Sequence, residues 1–179
     1  TDATNYRRTD DEVDGAIEGV VREFSLAYPL QQQTDIATTD GSHNIDISSL
    51  QGRLLISSVE FPLGNYPPTY QKFHLYMDTL TMEDEGDGND ARIRWGKLHI
   101  LDDTTSTIPE QYEELIVLGA TGYLATSASV YTVDRATIAG RYATVNFLKW
   151  GQTRLERFEK QLKAIKKKGN ISFGKLTLP

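Results

Sequence analysis

The sequence contains no cysteine. That removes disulfides, thiolate metal sites, iron–sulfur clusters and cysteine nucleophiles together. It argues against a small secreted disulfide scaffold and is compatible with a reducing compartment. Histidine is scarce too: His43, His74 and His99 are the only three, little material for a histidine-rich metal centre. No run approaches the roughly 18 apolar residues of a membrane span, so no membrane partner is expected. The opening TDATNYRRTDDEVDG lacks the apolar core of a signal peptide. Basic residues are in the minority, 19 Lys and Arg against 25 Asp and Glu for a formal charge of −6, which argues against a generally basic nucleic-acid binder. What remains is a chain of 179 residues, 39% apolar and 25% charged. Such a length suits one domain, or one core with an inserted subdomain, and buries roughly two thirds of its unfolded surface.

The hydrophobic period changes along the chain. Over 9–28, Val13, Ile17, Val20, Val21, Phe24 and Tyr28 share one helical face. Thr9 and Glu12 have capping-box spacing, and Pro29 stops the helix. Gly15 and Gly19 lie on the other side, where they suit close approach by a neighbour. From 30 to 105, short runs rich in β-branched and aromatic residues (IDISS, RLLISSVEF, KFHLYM, TLTME, ARIRW, KLHIL) alternate with turn residues, predicting five or six mainly antiparallel strands. Ile93 and Trp95 fall on one face, and Trp95-Gly96-Lys97 reads as a tight bend or bulge. The three prolines of 62–68 mark an ordered crossover.

Thr107 as cap and Pro109 in the first turn predict a helix over about 109–131. Its run of Gly119, Gly122, Ala125 and Ser129 offers a surface for close packing against another helix or a neighbouring subunit. A third helix is expected over about 137–167, with Leu155, Phe158, Leu162 and Ile165 spaced as in a heptad seam. Lys166, Lys167 and Lys168 then sit near the negative end of its dipole, with Gly169 as terminator. The same lysines, with Lys163, are alternatively a contact for phosphate or an acidic partner. The tail carries Ile171, Phe173, Leu176 and Leu178 in strand-like alternation and suits addition to a sheet edge. The fold class expected is therefore α+β. A three-helix core (1–29 and 106–168) is interrupted by a β-rich insertion (30–105) and followed by a C-terminal arm (169–179).

Chemistry-bearing motifs are weak. LIVLGATGYLA (115–125) looks like the dinucleotide fingerprint of extended short-chain dehydrogenases, but a helix entry precedes it where a strand is needed. The acidic loop 84–90 offers oxygen ligands without the ordered spacing of an EF-hand. Asp78, His74 and Ser57 or Ser58 lack a nucleophile elbow. No catalytic, cofactor or metal residue is expected.

Three stretches together resemble the head–tail connector (adaptor, or neck) proteins of tailed bacteriophages. They are TDDEVDGAIEGVVREFS, TSTIPEQYEELIVLGATGYLATSASVY and FLKWGQTRLERFEKQLKAI. The β insertion, with VEFPLGNYPPTYQKF, TLTME and RIRWGKLHIL, is similar to that of a subset of them. The resemblance implies a structural virion protein of the neck, assembled in the host cytoplasm, without catalysis or cofactor. It implies a homo-oligomeric ring, a dodecamer, docked on the portal and on tail or neck proteins. DNA would pass through its channel without sequence-specific binding. Portal contact would fall on Lys166, Lys167, Lys168, Ile171, Phe173, Leu176 and Leu178. Subunit packing would fall on Gly119, Gly122, Ala125 and Ser129. The rival readings are a nucleotide-cofactor enzyme using GATGYLA and a non-viral β-rich binding module.

Overall fold

The structure, a computed structural model, describes residues 9–133 and 141–172, and the side chains of 9–128 and 147–167. It is an α+β chain with three α-helices and two small antiparallel sheets among the described residues. The chain divides into two compact units, one of Thr1–Tyr28 with His99–Pro179 and the other of Pro29–Leu98. The second boundary thus falls seven residues before the expected 105/106.

In the first unit, helix α1 (Asp10–Ala27) starts with a capping box. Thr9 Oγ1 accepts from the Glu12 N–H at 3.3 Å and Glu12 Oε2 accepts from the Thr9 N–H at 3.4 Å, the reciprocal pair that pins a helix start. The second helix enters differently from expectation. Pro109 precedes a 3-10 turn, Glu110–Tyr112, with no side-chain cap. The Thr107 hydroxyl is instead spent on Ile100, accepting from its N–H at 2.8 Å and donating to its carbonyl at 3.2 Å. Helix α2 then spans Glu113–Val133, and helix α3 spans Arg141–Ser172. Gly169 therefore does not end α3. Ile171, expected in a strand-like arm, continues the helix, because neither Gly169 nor Asn170 forbids helical φ and ψ as a proline would. Residues 137–140 and 173–179 lie outside the described residues. No described helix is long and apolar enough to cross a membrane.

Val20, Val21, Phe24, Leu115, Ile116, Ala120 and Phe158 are buried together. Phe24 closes one end of this cluster with Tyr28, Tyr112 and His99, its ring centroid 5.3 Å from those of Tyr112 and His99. His99, expected on a strand, is instead a buried clasp. Its backbone N–H donates to Ser25 Oγ at 2.9 Å, and its two ring nitrogens lie 2.9 Å from the carbonyl oxygens of Tyr28 and Thr107.

In the second unit, strands β1 (Leu30–Ala37), β2 (Asn44–Asp46), β3 (Arg53–Glu60), β4 (Tyr70–Gln71), β5 (Phe73–Tyr76), β6 (Thr79–Met82) and β7 (Asp90–Lys97) form two sheets. Their orders are β1-β7-β3-β4 and β2-β6-β5. Ile45, Val59, Leu80, Met82, Ile93 and Trp95 belong to one shared apolar core, so the alternation of Ile93 and Trp95 does point inward. Trp95-Gly96-Lys97 is not a bend: all three residues belong to β7, which ends at Lys97. Gly96 is needed because a Cβ there would lie 2.6 Å from Pro29 Cβ. The irregularity falls on the facing strand, where the β3–β7 register shifts between Arg53 and Leu55. KLHIL contributes only Lys97 to a strand. On the outer face, Arg92 donates to both carboxylate oxygens of its cross-strand partner Asp35 at 2.9 Å, which holds that carboxyl below its ordinary range. Residues 61–69 form no strand, and two of their three X-Pro bonds, Phe61-Pro62 and Tyr66-Pro67, are cis.

Candidate functional site

The small residues of α2 are spent inside the chain. A Cβ on Gly119 would lie 2.9 Å from Val20 Cγ1 of α1 and 3.0 Å from Phe158 Cδ2 of α3. A Cβ on Gly122 would lie 2.9 Å from Leu155 Cδ2. Ala125 is buried and its own Cβ lies 3.0 Å from where a Cβ on Gly151 would sit. The close approach expected of Gly119, Gly122 and Ala125 is thus made by the chain's own helices, which leaves those faces no room for a neighbouring subunit. The Ser129 side chain lies outside those described. Gly15 and Gly19 show the opposite geometry: a Cβ at either meets nothing within 4 Å.

Two shallow grooves flank the α2–α3 pair. One, of about 380 Å³, has α1 as a wall and is lined by Glu23, Leu26, Tyr123, Glu159, Leu162 and Lys166, among others. Here the Tyr123 hydroxyl donates to Glu23 Oε1 at 2.6 Å. That bond, helped by burial, favours the protonated phenol and pushes its pKa up to about 12. The other groove, of about 370 Å³, has no residue of α1; Leu118, Lys149, Trp150, Thr153, Arg154 and Arg157 line it. The Arg154 guanidinium lies 4.1 Å over the Trp150 ring, a cation–π contact, and donates to Thr121 Oγ1 at 3.2 Å. The guanidinium is thereby held in place. Phe147, Leu148, Trp150 and Val117 remain exposed.

Lys166 and Lys167 are exposed but stand inside α3, short of its end. Lys168 and Ile171 are placed by backbone alone, and Phe173, Leu176 and Leu178 lie outside the described residues. LIVLGATGYLA lies wholly within α2. The strand–turn–helix that a dinucleotide fingerprint requires is not its local structure, and its two glycines face side chains of this chain. The residues weighed as a triad are separately engaged: Ser57 Oγ donates to the Arg94 carbonyl at 2.9 Å, and Asp78 accepts from Arg53. In the loop 84–90, Asp84 accepts from Gln71 at 2.6 Å and Asp87 from Asn89 at 2.9 Å. Among the described residues no group of three or more His, Asp or Glu is placed to hold a metal.

Sequence reasoning missed the cationic groove. Its signal is nevertheless present: Phe147, Trp150, Arg154 and Arg157 are spaced 3, 4 and 3 residues apart, a second stripe beside the apolar seam of α3. No protein-family model matches the chain, and no curated protein matches it.

Proposed function

We propose that this chain is a structural adaptor of a phage neck, a subunit of a homo-oligomeric ring that joins the portal to the tail and does no catalysis. One observation carries the reading. The three stretches that resemble head–tail connectors supply α1, α2 and α3, and they converge on one point. Gly119 of α2 lies against Val20 of α1 and Phe158 of α3. On this reading the three helices are the adaptor core. The β unit between Tyr28 and His99 is an insertion directed at another neck component, with Leu75, Tyr76 and Met77 exposed at the β5–β6 turn. Portal contact falls on the far end of α3, from Lys166 onward, and DNA passes through the ring without sequence-specific contact.

Electron microscopy of the purified protein, alone and mixed with its portal, tests this. Rings of one rotational symmetry, free or seated on the portal, are expected. A chain that stays monomeric in both samples overturns the reading.

A further inference from the structure

The cationic groove on α3 has a counterpart of opposite charge within the same sequence. Lys149, Arg154 and Arg157 face it with no carboxylate in its lining, and among the described residues none of the three forms an ion pair. Phe147 is 59% exposed and Trp150 46%. Aromatic and arginine side chains grouped in this way are what protein interfaces bury.

The outer face of α1 is the counterpart. Asp11, Asp14 and Glu18 are exposed and form no ion pair among the described residues. Gly15 follows Asp14 and Gly19 follows Glu18, so the two glycines form a strip beside these carboxylates. A mid-helix glycine costs about 1 kcal/mol relative to alanine, and among the described residues nothing lies within 4 Å of where a Cβ on either would sit. The result is a shallow strip beside carboxylates, with the exposed Arg22 three residues beyond Gly19. The inner face of α1, with Val20, Val21 and Phe24, is already buried, and the groove on α3 has no α1 residue in its wall.

We propose that the acidic, glycine-bearing face of α1 in one copy of this chain docks on the aromatic–cationic groove of α3 in a second copy. Trp150 and Phe147 pack over Gly15 and Gly19, while Lys149, Arg154 and Arg157 meet Asp11, Asp14 and Glu18. Two different surfaces meet, so the contact is heterologous and repeats from copy to copy. Such contacts close into rings or run on as filaments. The inference rests on the ring reading above and names the two surfaces that would join its neighbours.

The test uses the full chain and two charge reversals, Asp14→Lys with Glu18→Lys, and Arg154→Glu with Arg157→Glu. Sedimentation velocity gives the mass and circular dichroism checks the fold. The wild type is expected to assemble, and to loosen as salt rises. Each reversal sets like charges face to face and should weaken association by about a hundredfold or more. Mixing the two variants restores opposite charges at every contact and should restore assembly. Gly15→Leu with Gly19→Leu fills the strip at two exposed positions, where an added Cβ meets nothing within 4 Å among the described residues. It should therefore fold and fail to assemble, even if a charge reversal proves unstable. If the reversals and the leucine variant assemble like wild type, this interface is wrong and the ring reading stands. A wild-type chain that never self-associates, free or on the portal, overturns both. The groove also suits phosphate. Loss of single-stranded oligonucleotide binding by the arginine variant, with assembly intact in all variants, overturns the inference in favour of nucleic acid.

Discussion

Gly19→Ala and Gly119→Ala make the same chemical change in the interior of two helices, and the packing predicts opposite outcomes. At Gly19 the added methyl meets nothing within 4 Å, so only helix propensity acts and the protein gains about 1 kcal/mol. At Gly119 the methyl carbon arrives 2.9 Å from Val20 Cγ1 and 3.0 Å from Phe158 Cδ2, and both side chains are 0% exposed. Valine is stiff at χ1, and a ring fixed inside a packed core has nowhere to retreat. Overpacking of this kind costs about 1–3 kcal/mol. The same propensity gain offsets part of it, so the net change runs from about zero to 2 kcal/mol destabilising. Subtracting one variant from the other cancels the propensity and leaves the overpacking. In a chain of this length each kcal/mol moves Tm by about 2–4 °C. Melting followed by the helical band of far-UV circular dichroism should therefore place Gly119→Ala below Gly19→Ala by several degrees. Adding Val20→Ala to Gly119→Ala should recover part of the loss, with a coupling of about 0.5–3 kcal/mol. If Gly119→Ala melts at or above Gly19→Ala, the helices do not close around residue 119 and the core described above is wrong.

Two further outcomes are expected. His99→Phe keeps a ring beside Phe24 but removes the ring nitrogens that lie 2.9 Å from the Tyr28 and Thr107 carbonyls, and loss of the hydrogen bond that an imidazole N–H donates there costs about 0.5–1.5 kcal/mol. Urea denaturation should show the loss, and an unchanged midpoint would mean that His99 is not a clasp. The Tyr123 pKa is raised in the fold from 10.0 to about 12, so the native state holds that proton more tightly than the unfolded chain. The stability it contributes is complete below pH 10 and is lost as pH rises towards 12. Subtracting the alkaline absorbance titration of Tyr123→Phe from that of wild type should reveal a phenolate step near 12, and a step near 10 would mean that the Glu23 contact does not form in solution.

Local rules recovered those parts of the fold that local chemistry decides. Thr9 and Glu12 announce the start of α1 because the capping box involves only near neighbours, and Ile93 and Trp95 announce an inward face because their alternation matches the pleat. What escaped depends on distant partners. β1 carries Gln31, Gln32 and Gln33 and has neither apolar alternation nor β-branched density until Thr34. It is a strand because eight consecutive residues, from Leu30 to Ala37, pair with β7. Gly96 invites a turn in sequence, yet it pairs with Gln31 and Leu55 inside the sheet, and its missing Cβ makes room for Pro29. Thr107 has the chemistry of a cap, but a bond to Ile100 outcompetes that role. The far end of α3 was misplaced because a single glycine is a weak stop when no proline follows it closely. At the candidate site, the small residues of α2 were legible as a close-packing surface, but which body fills it was not, since Val20 and Phe158 are remote in sequence. The cationic groove was overlooked because its stripe runs one helical step beside a stronger apolar one.

The way the chain leaves and rejoins its helical unit has a further consequence. The carbonyl of Tyr28 and the ring of His99 are 2.9 Å apart, and Leu30 and Lys97, just inside them, are paired neighbours in adjacent strands. The seventy-residue excursion from Pro29 to Leu98 therefore begins and ends at one doorway. Loop-closure entropy grows only slowly with loop length, so exchanging this module for a short turn, or for a different one, should change little in the packing of the helical unit. The segment Pro29–Leu98 is in this sense an exchangeable cassette, and the packing around Gly119 does not depend on its length.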